Sequence, residues 1–166
     1  MSQDHDDDHD HDDDHDDYET LHLEMHRAVD ELGKYAIDME IVSKKGIPKD
    51  TIKKFIESLM IHVTKNCMAK GADLIGHIKS ILLCDGGNIM SSVIDDSAKV
   101  KMKDAMTSDT IFGGKFTMHV IVHGIWDDKV REAVLEVLPG EFKKWDVPYK
   151  VVADYYETEK SAAHHG

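Results

Sequence analysis

Between Asp4 and Asp17 the chain reads DHDDDHDHDDDHDD, and no residue of that stretch carries an apolar side chain. Such a segment has no surface to bury, so it stays unfolded, binds a ligand, or does both, and any core must come from the residues that follow. The remaining ~150 residues are enough for one domain with a real core. The division expected is a disordered His/Asp-rich tail over 1–17, a single α+β domain over 18–156, and a frayed polar end over 157–166.

The chemistry of the tail points to metal. It holds ten aspartates and four histidines, and neither Lys nor Arg. Like charges at this density extend the chain. Neutral imidazole is a common ligand for Zn2+, Ni2+ and Co2+, and carboxylates complete mixed nitrogen and oxygen sites. The candidate ligands are His5, His9, His11 and His15, with Asp8, Asp10 and Asp12 between them. Without a thiolate the tail suits Cu(I) poorly. It also lacks the turn glycine and terminal bidentate Glu of a calcium loop. The surrounding carboxylates favour imidazolium, so metal must displace protons, and binding should weaken as pH falls. Ordering a loose chain costs roughly 1–2 kcal/mol per residue, which favours several weak, exchangeable ions over one tight site. As a coil the tail averages roughly 22 Å end to end.

In composition these residues are similar to the His-rich extensions of nickel and zinc metallochaperones, such as the hydrogenase-maturation GTPases. The resemblance covers Asp4–Asp17 alone. A GTPase also needs G-x-x-x-x-G-K-[ST], and Gly71-Ala72-Asp73-Leu74-Ile75-Gly76 continues with His77-Ile78 instead. The lysine that would reach the phosphates is absent, so the chain is not assigned to that family.

Charge and cysteine usage narrow the classes further. The net charge is -13, of which the tail supplies -10. The body is nearly balanced and offers no basic field for nucleic acid or an acidic membrane. The acidic N-terminus has no apolar signal region, and no run approaches the ~18 apolar residues of a spanning helix. Cys67 and Cys84 belong to no C-x-x-C, and two lone thiols fit a reducing cytoplasm.

Along the body, Tyr18, Leu21, Met25, Ala28, Val29, Leu32, Ala36 and Met39 recur at helical spacing, which predicts a first helix over Tyr18–Glu40. His22 and His26 lie one turn apart beside that stripe and could share a metal. Ile41–Lys49, interrupted by Gly46 and Pro48, reads as a connection. A second helix is expected over Asp50–Lys70, with Asp50 as N-cap, Gly71 just past the end, and Cys67 on the buried stripe. Leu74–Leu83 and Ile89–Ile94 read as a hairpin around Asp85-Gly86-Gly87-Asn88. Asp95–Phe112, with Lys99, Lys101 and Lys103 alternating with Val100 and Met102, reads as a short helix or a loop, either a charged mobile segment or a lid. Lys115–Ile125 is the clearest strand, with Phe116, Met118, Val120 and Val122 on one face and Thr117, His119, Ile121 and His123 on the other. Asp127–Leu138 is expected as a helix ended by Pro139-Gly140, and Tyr149–Ala153 as a last strand.

The fold class expected is therefore α+β: two N-terminal helices, then an antiparallel sheet of about four strands with a further helix packed on it. Helices on one face would leave the other for a ligand or a second subunit, and a homodimer through that face is the oligomer expected. The functional expectation is a cytoplasmic accessory protein that captures, buffers or delivers Ni2+, Zn2+ or Co2+. The tail, with His22 and His26, supplies the ligands, and a metalloprotein or metal-handling protein is the partner. The alternative is a small cytoplasmic enzyme whose site lies on the open sheet face around His77, Lys79 and His119. His119 and His123 lie about 13 Å apart along one strand and cannot share a metal, whereas His119 can approach His77 only if their strands are neighbours.

Overall fold

A computed structural model describes residues 32–156. In chain order they form β1 (Leu32–Pro48), α1 (Lys49–Ala69), β2 (Leu74–Cys84), β3 (Gly87–Val93), β4 (Lys101–Met106), β5 (Thr110–His123), α2 (Asp127–Lys144) and β6 (Tyr149–Asp154). The strands make one six-stranded sheet in the order β4-β3-β2-β5-β1-β6, with antiparallel neighbours throughout.

This corrects the expectation of two N-terminal helices and about four strands. Residues 18–31 of the expected first helix lie outside the described residues. Its remainder, Leu32–Glu40, is strand, and so is most of the expected connection after it. The stretch satisfies two periods at once. Leu32, Ala36 and Met39 fit a helix, but Tyr35, Ile37, Met39 and Ile41 alternate and are buried, whereas Leu32 and Ala36 are only half-buried. Pairing with β5 on one side and β6 on the other selects the period of two. The β1–β5 register shifts between Val42 and Ile47, around Gly46, whose φ of +78° suits glycine.

Two further corrections follow from packing. Asp95–Phe112 is neither helix nor lid: Lys101–Met106 is β4, paired with β3, and Thr110 opens β5. Pro139-Gly140 does not end the third helical stretch, because α2 runs through both to Lys144. A proline inside a helix costs about 3 kcal/mol. Beyond it Phe142 is buried, 4.8 Å from the Phe55 ring and stacked 3.7 Å from Tyr149 between centroids. Burying one such side chain contributes about 1.5–3 kcal/mol, which offsets much of that cost.

The second helical stretch forms as expected, with Ile52, Phe55, Ile56, Leu59, Met60, Val63 and Cys67 buried, although Asp50 lies in its first turn and Pro48 holds the N-cap position. Its C-terminus closes through Gly71, at φ +113°, whose N–H donates to the Met68 carbonyl while Ala72 N–H donates to that of Cys67. Both helices pack on one face of the sheet and share one core with Ile37, Met39, Ile78, Leu82, Phe116, Met118 and Val120. Neither helix packs on the opposite face, where among the described residues Tyr155 reaches Asp38 at the β1 end.

Candidate functional site

The open face is built by antiparallel register. His119 of β5 lies opposite Lys79 of β2, Lys79 opposite Ser92 of β3, and Ser92 opposite Lys101 of β4. Thr117, Ile81, Met90 and Lys103 form the next row in the same way. Directly opposed residues on one face have Cβ atoms about 4.5–5.5 Å apart, so each row sets neighbouring side chains side by side across four strands. Together the two rows line a concavity of about 470 Å³.

Its charge is one-sided. The lining contains Lys79, Lys101, Lys103 and His119 but no carboxylate. Asp104, next to Lys103 on β4, sits opposite buried Ile89 and faces the helices, where it pairs with Lys49 at 3.3 Å and Lys53 at 3.4 Å. Across the sheet the pattern reverses. On the β1 side Lys115 pairs with Asp38 at 3.4 Å and Lys150 with Glu40 at 3.6 Å, so these two cations already have their anions.

Asp38 is buried although it lies on the open face. It accepts hydrogen bonds from Thr117 Oγ1 at 2.7 Å and from Tyr155 OH at 2.7 Å. Burial pushes its carboxyl up, but the Tyr155 and Thr117 hydroxyls and the Lys115 ammonium outweigh that and hold it below the usual carboxylate range. The Thr117 hydroxyl is thereby engaged with β1 instead of the concavity.

His77 stands diagonal to His119, since His77 opposes Ile121 on the neighbouring strand. The strands are thus adjacent, as an approach of these two histidines requires. Desolvation, then the nearby Lys79 and His119, lower the His77 pKa and favour its neutral imidazole. His123 is turned to other work: its Nδ1 lies 2.5 Å from Asp73 Oδ1.

His5, Asp8, His9, Asp10, His11, Asp12, His15, His22 and His26 all lie outside the described residues. Among the described residues, no three His, Cys, Asp or Glu side chains converge on a point where they could hold a metal ion. No described helix is long and apolar enough to cross a membrane.

One cluster escapes the sequence reading. Ser58 and His62, one turn apart on α1, meet Glu141 of α2, a buried carboxylate. Ser58 Oγ lies 2.9 Å from Glu141 Oε2 and 3.3 Å from His62 Nδ1, the same imidazole nitrogen that contacts Glu141 Oε1. A nucleophilic relay needs the hydroxyl and the carboxylate on opposite ring nitrogens. Here both share one, so the cluster clamps the two helices and does not activate the serine. The spacing of Ser58 and His62 was legible, but Glu141 lay beyond the proline expected to end its helix.

The fold and face define an antiparallel sheet backed by two helices on one side, with a lysine-rimmed concavity on the other. No protein-family model matches the chain, and no curated protein matches it. Among solved structures, a zinc(II)-bound triple mutant of the YjiA GTPase is similar over 64% of this chain and 30% of its own, at 13% identity and a TM-score of 0.34. The chain therefore spans less than a third of that structure's length, and the likeness is too distant to define a shared fold.

Proposed function

We propose that the chain is a metal-handling accessory protein that captures a divalent transition metal, Ni2+, Zn2+ or Co2+, and releases it to a partner. The observation that carries this reading is the run of ten aspartates and four histidines within Asp4–Asp17, a ligand set without a competing lysine or arginine. Weak, multiple sites suit exchange better than storage. A cytoplasmic setting agrees with the free thiols Cys67 and Cys84, which a reducing compartment preserves. The test is equilibrium dialysis of Ni2+ and Zn2+ against the full chain and against a variant carrying His5→Asn, His9→Asn, His11→Asn and His15→Asn. The variant is expected to lose most of the bound metal while its circular dichroism is unchanged. Unchanged stoichiometry in the variant refutes the reading.

A second reading, a small enzyme on the open sheet face, is favoured by the direct opposition of Lys79 and His119 within the concavity. An imidazole beside an ammonium is the minimum equipment for proton transfer next to an anionic substrate group. Its test is a Lys79→Met variant that loses turnover of any substrate the wild type converts.

A further inference from the structure

We propose that the concavity across β5, β2, β3 and β4 binds a small organic anion, a carboxylate or a phosphate ester carried on an apolar body. Two features of the site fix those two halves of the ligand. Its rim holds three ammonium groups, Lys79, Lys101 and Lys103, with no carboxylate in the lining. Its lining also holds Ile81 and Met90, and Met90, on the strand beside edge strand β4, is 48% exposed. A volume of about 470 Å³ is that of a small-molecule site.

The lysines are not explained by the sheet alone. Charged side chains on an edge strand discourage pairing with another sheet, which accounts for Lys101 and Lys103 on β4. Lys79 lies on β2, an interior strand, and gains nothing in that role. Nor does any of the three form a close ion pair within the described residues, although Lys101 is near enough to Asp95 to help lower that carboxyl's pKa; Lys115 and Lys150 on the same face pair with Asp38 and Glu40. Desolvation lowers the His77 pKa most, and the nearby Lys79 and His119 add to the shift. A second copy is a poor occupant, because a two-fold axis through the groove sets one lysine row against its own equivalent.

The face is the one the enzyme reading uses, but the proposal concerns recognition alone, so binding without turnover upholds it. It is also independent of metal capture, because the measurement is made with a chelator present. The full chain is titrated with 2-naphthyl phosphate, 2-naphthoate, inorganic phosphate and 2-naphthol, followed by backbone amide NMR. At least one naphthyl anion is expected to bind at one site, about tenfold or more tighter than either inorganic phosphate or 2-naphthol. The amide shifts should centre on Lys79, Met90, Ser92, Lys101 and His119, and the preferred head group distinguishes carboxylate from phosphate. Lys79→Met and Lys101→Met, which keep the apolar stems, should each weaken binding about tenfold without moving the thermal midpoint. The bound anion should also raise the His77 pKa. Equal affinity for 2-naphthol, shifts centred elsewhere, affinity unmoved by both substitutions, or no saturable binding of either naphthyl anion overturns the proposal. So does self-association that closes the groove to the probes.

Discussion

Lys79 and His119 face each other across the β2–β5 ladder, with His77 one step along β2 and diagonal to His119. These three basic side chains lie on adjacent interior strands, where desolvation first, and then Lys79 and His119, lower the His77 pKa. Removing the Lys79 charge should raise the His77 pKa, though not fully to its ordinary value, because desolvation is the larger cause and remains. An NMR titration of the His77 ring in Lys79→Met measures this, and an unmoved or lowered value contradicts the geometry.

Asp38 links β1, β5 and the segment after β6 through Thr117, Lys115 and Tyr155. Its folded pKa lies below the unfolded one, near 3.9 for a free aspartate. The stabilisation is therefore fully present above the unfolded value and lost as pH falls through the folded one. Asp38→Asn should be less stable than wild type by about 1–3 kcal/mol near neutrality. That gap should narrow in acid, as read by urea unfolding at a series of pH values. A gap that widens with acidification contradicts the assignment.

Which of these features the sequence disclosed depended on whether one face of an element carried the whole signal. In β5, Phe116 to Val122 alternate cleanly, and the Asp85-Gly86 turn announces the β2–β3 hairpin, so both were legible. In β1, Ala36 and Met39 supported a helix as well as Tyr35, Ile37 and Ile41 supported a strand, and only pairing on both sides decides. In β4, Lys101-Met102-Lys103-Asp104 alternates cation with methionine or carboxylate, a pattern with little apolar face, so an edge strand passed for a loop. The site split accordingly. His77, Lys79 and His119 were named from strands that could be read, whereas Lys101, Lys103 and Ser92 depend on the β3–β4 register.

Gly140 lies inside α2, and a Cβ there meets nothing within 4 Å. Gly140→Ala should therefore stabilise the protein by about 1 kcal/mol, raising the thermal midpoint by a few degrees. Phe142→Ala, which empties the contact with Phe55 and Tyr149, should cost about 3–5 kcal/mol. If Gly140→Ala destabilises, the helix does not run through Pro139 as described.

Burial pushes the Cys67 thiol up to about 12. Only the thiolate is nucleophilic, so Cys67 should resist iodoacetamide in the native protein near pH 8 and react once urea unfolds the chain. Mass spectrometry of the labelled peptides checks this. Native labelling of Cys67 at the rate of a free thiol contradicts its place in the core.

Metal capture is tested most directly by calorimetric titration of Ni2+ into the full chain at about pH 7.5 and about pH 5.5, on either side of the ordinary histidine pKa. The account predicts several weak sites at the higher pH, proton release on binding, and loss of most of the heat at the lower pH and in the variant lacking His5, His9, His11 and His15. A single tight site that survives both changes, or no binding at either pH, contradicts it.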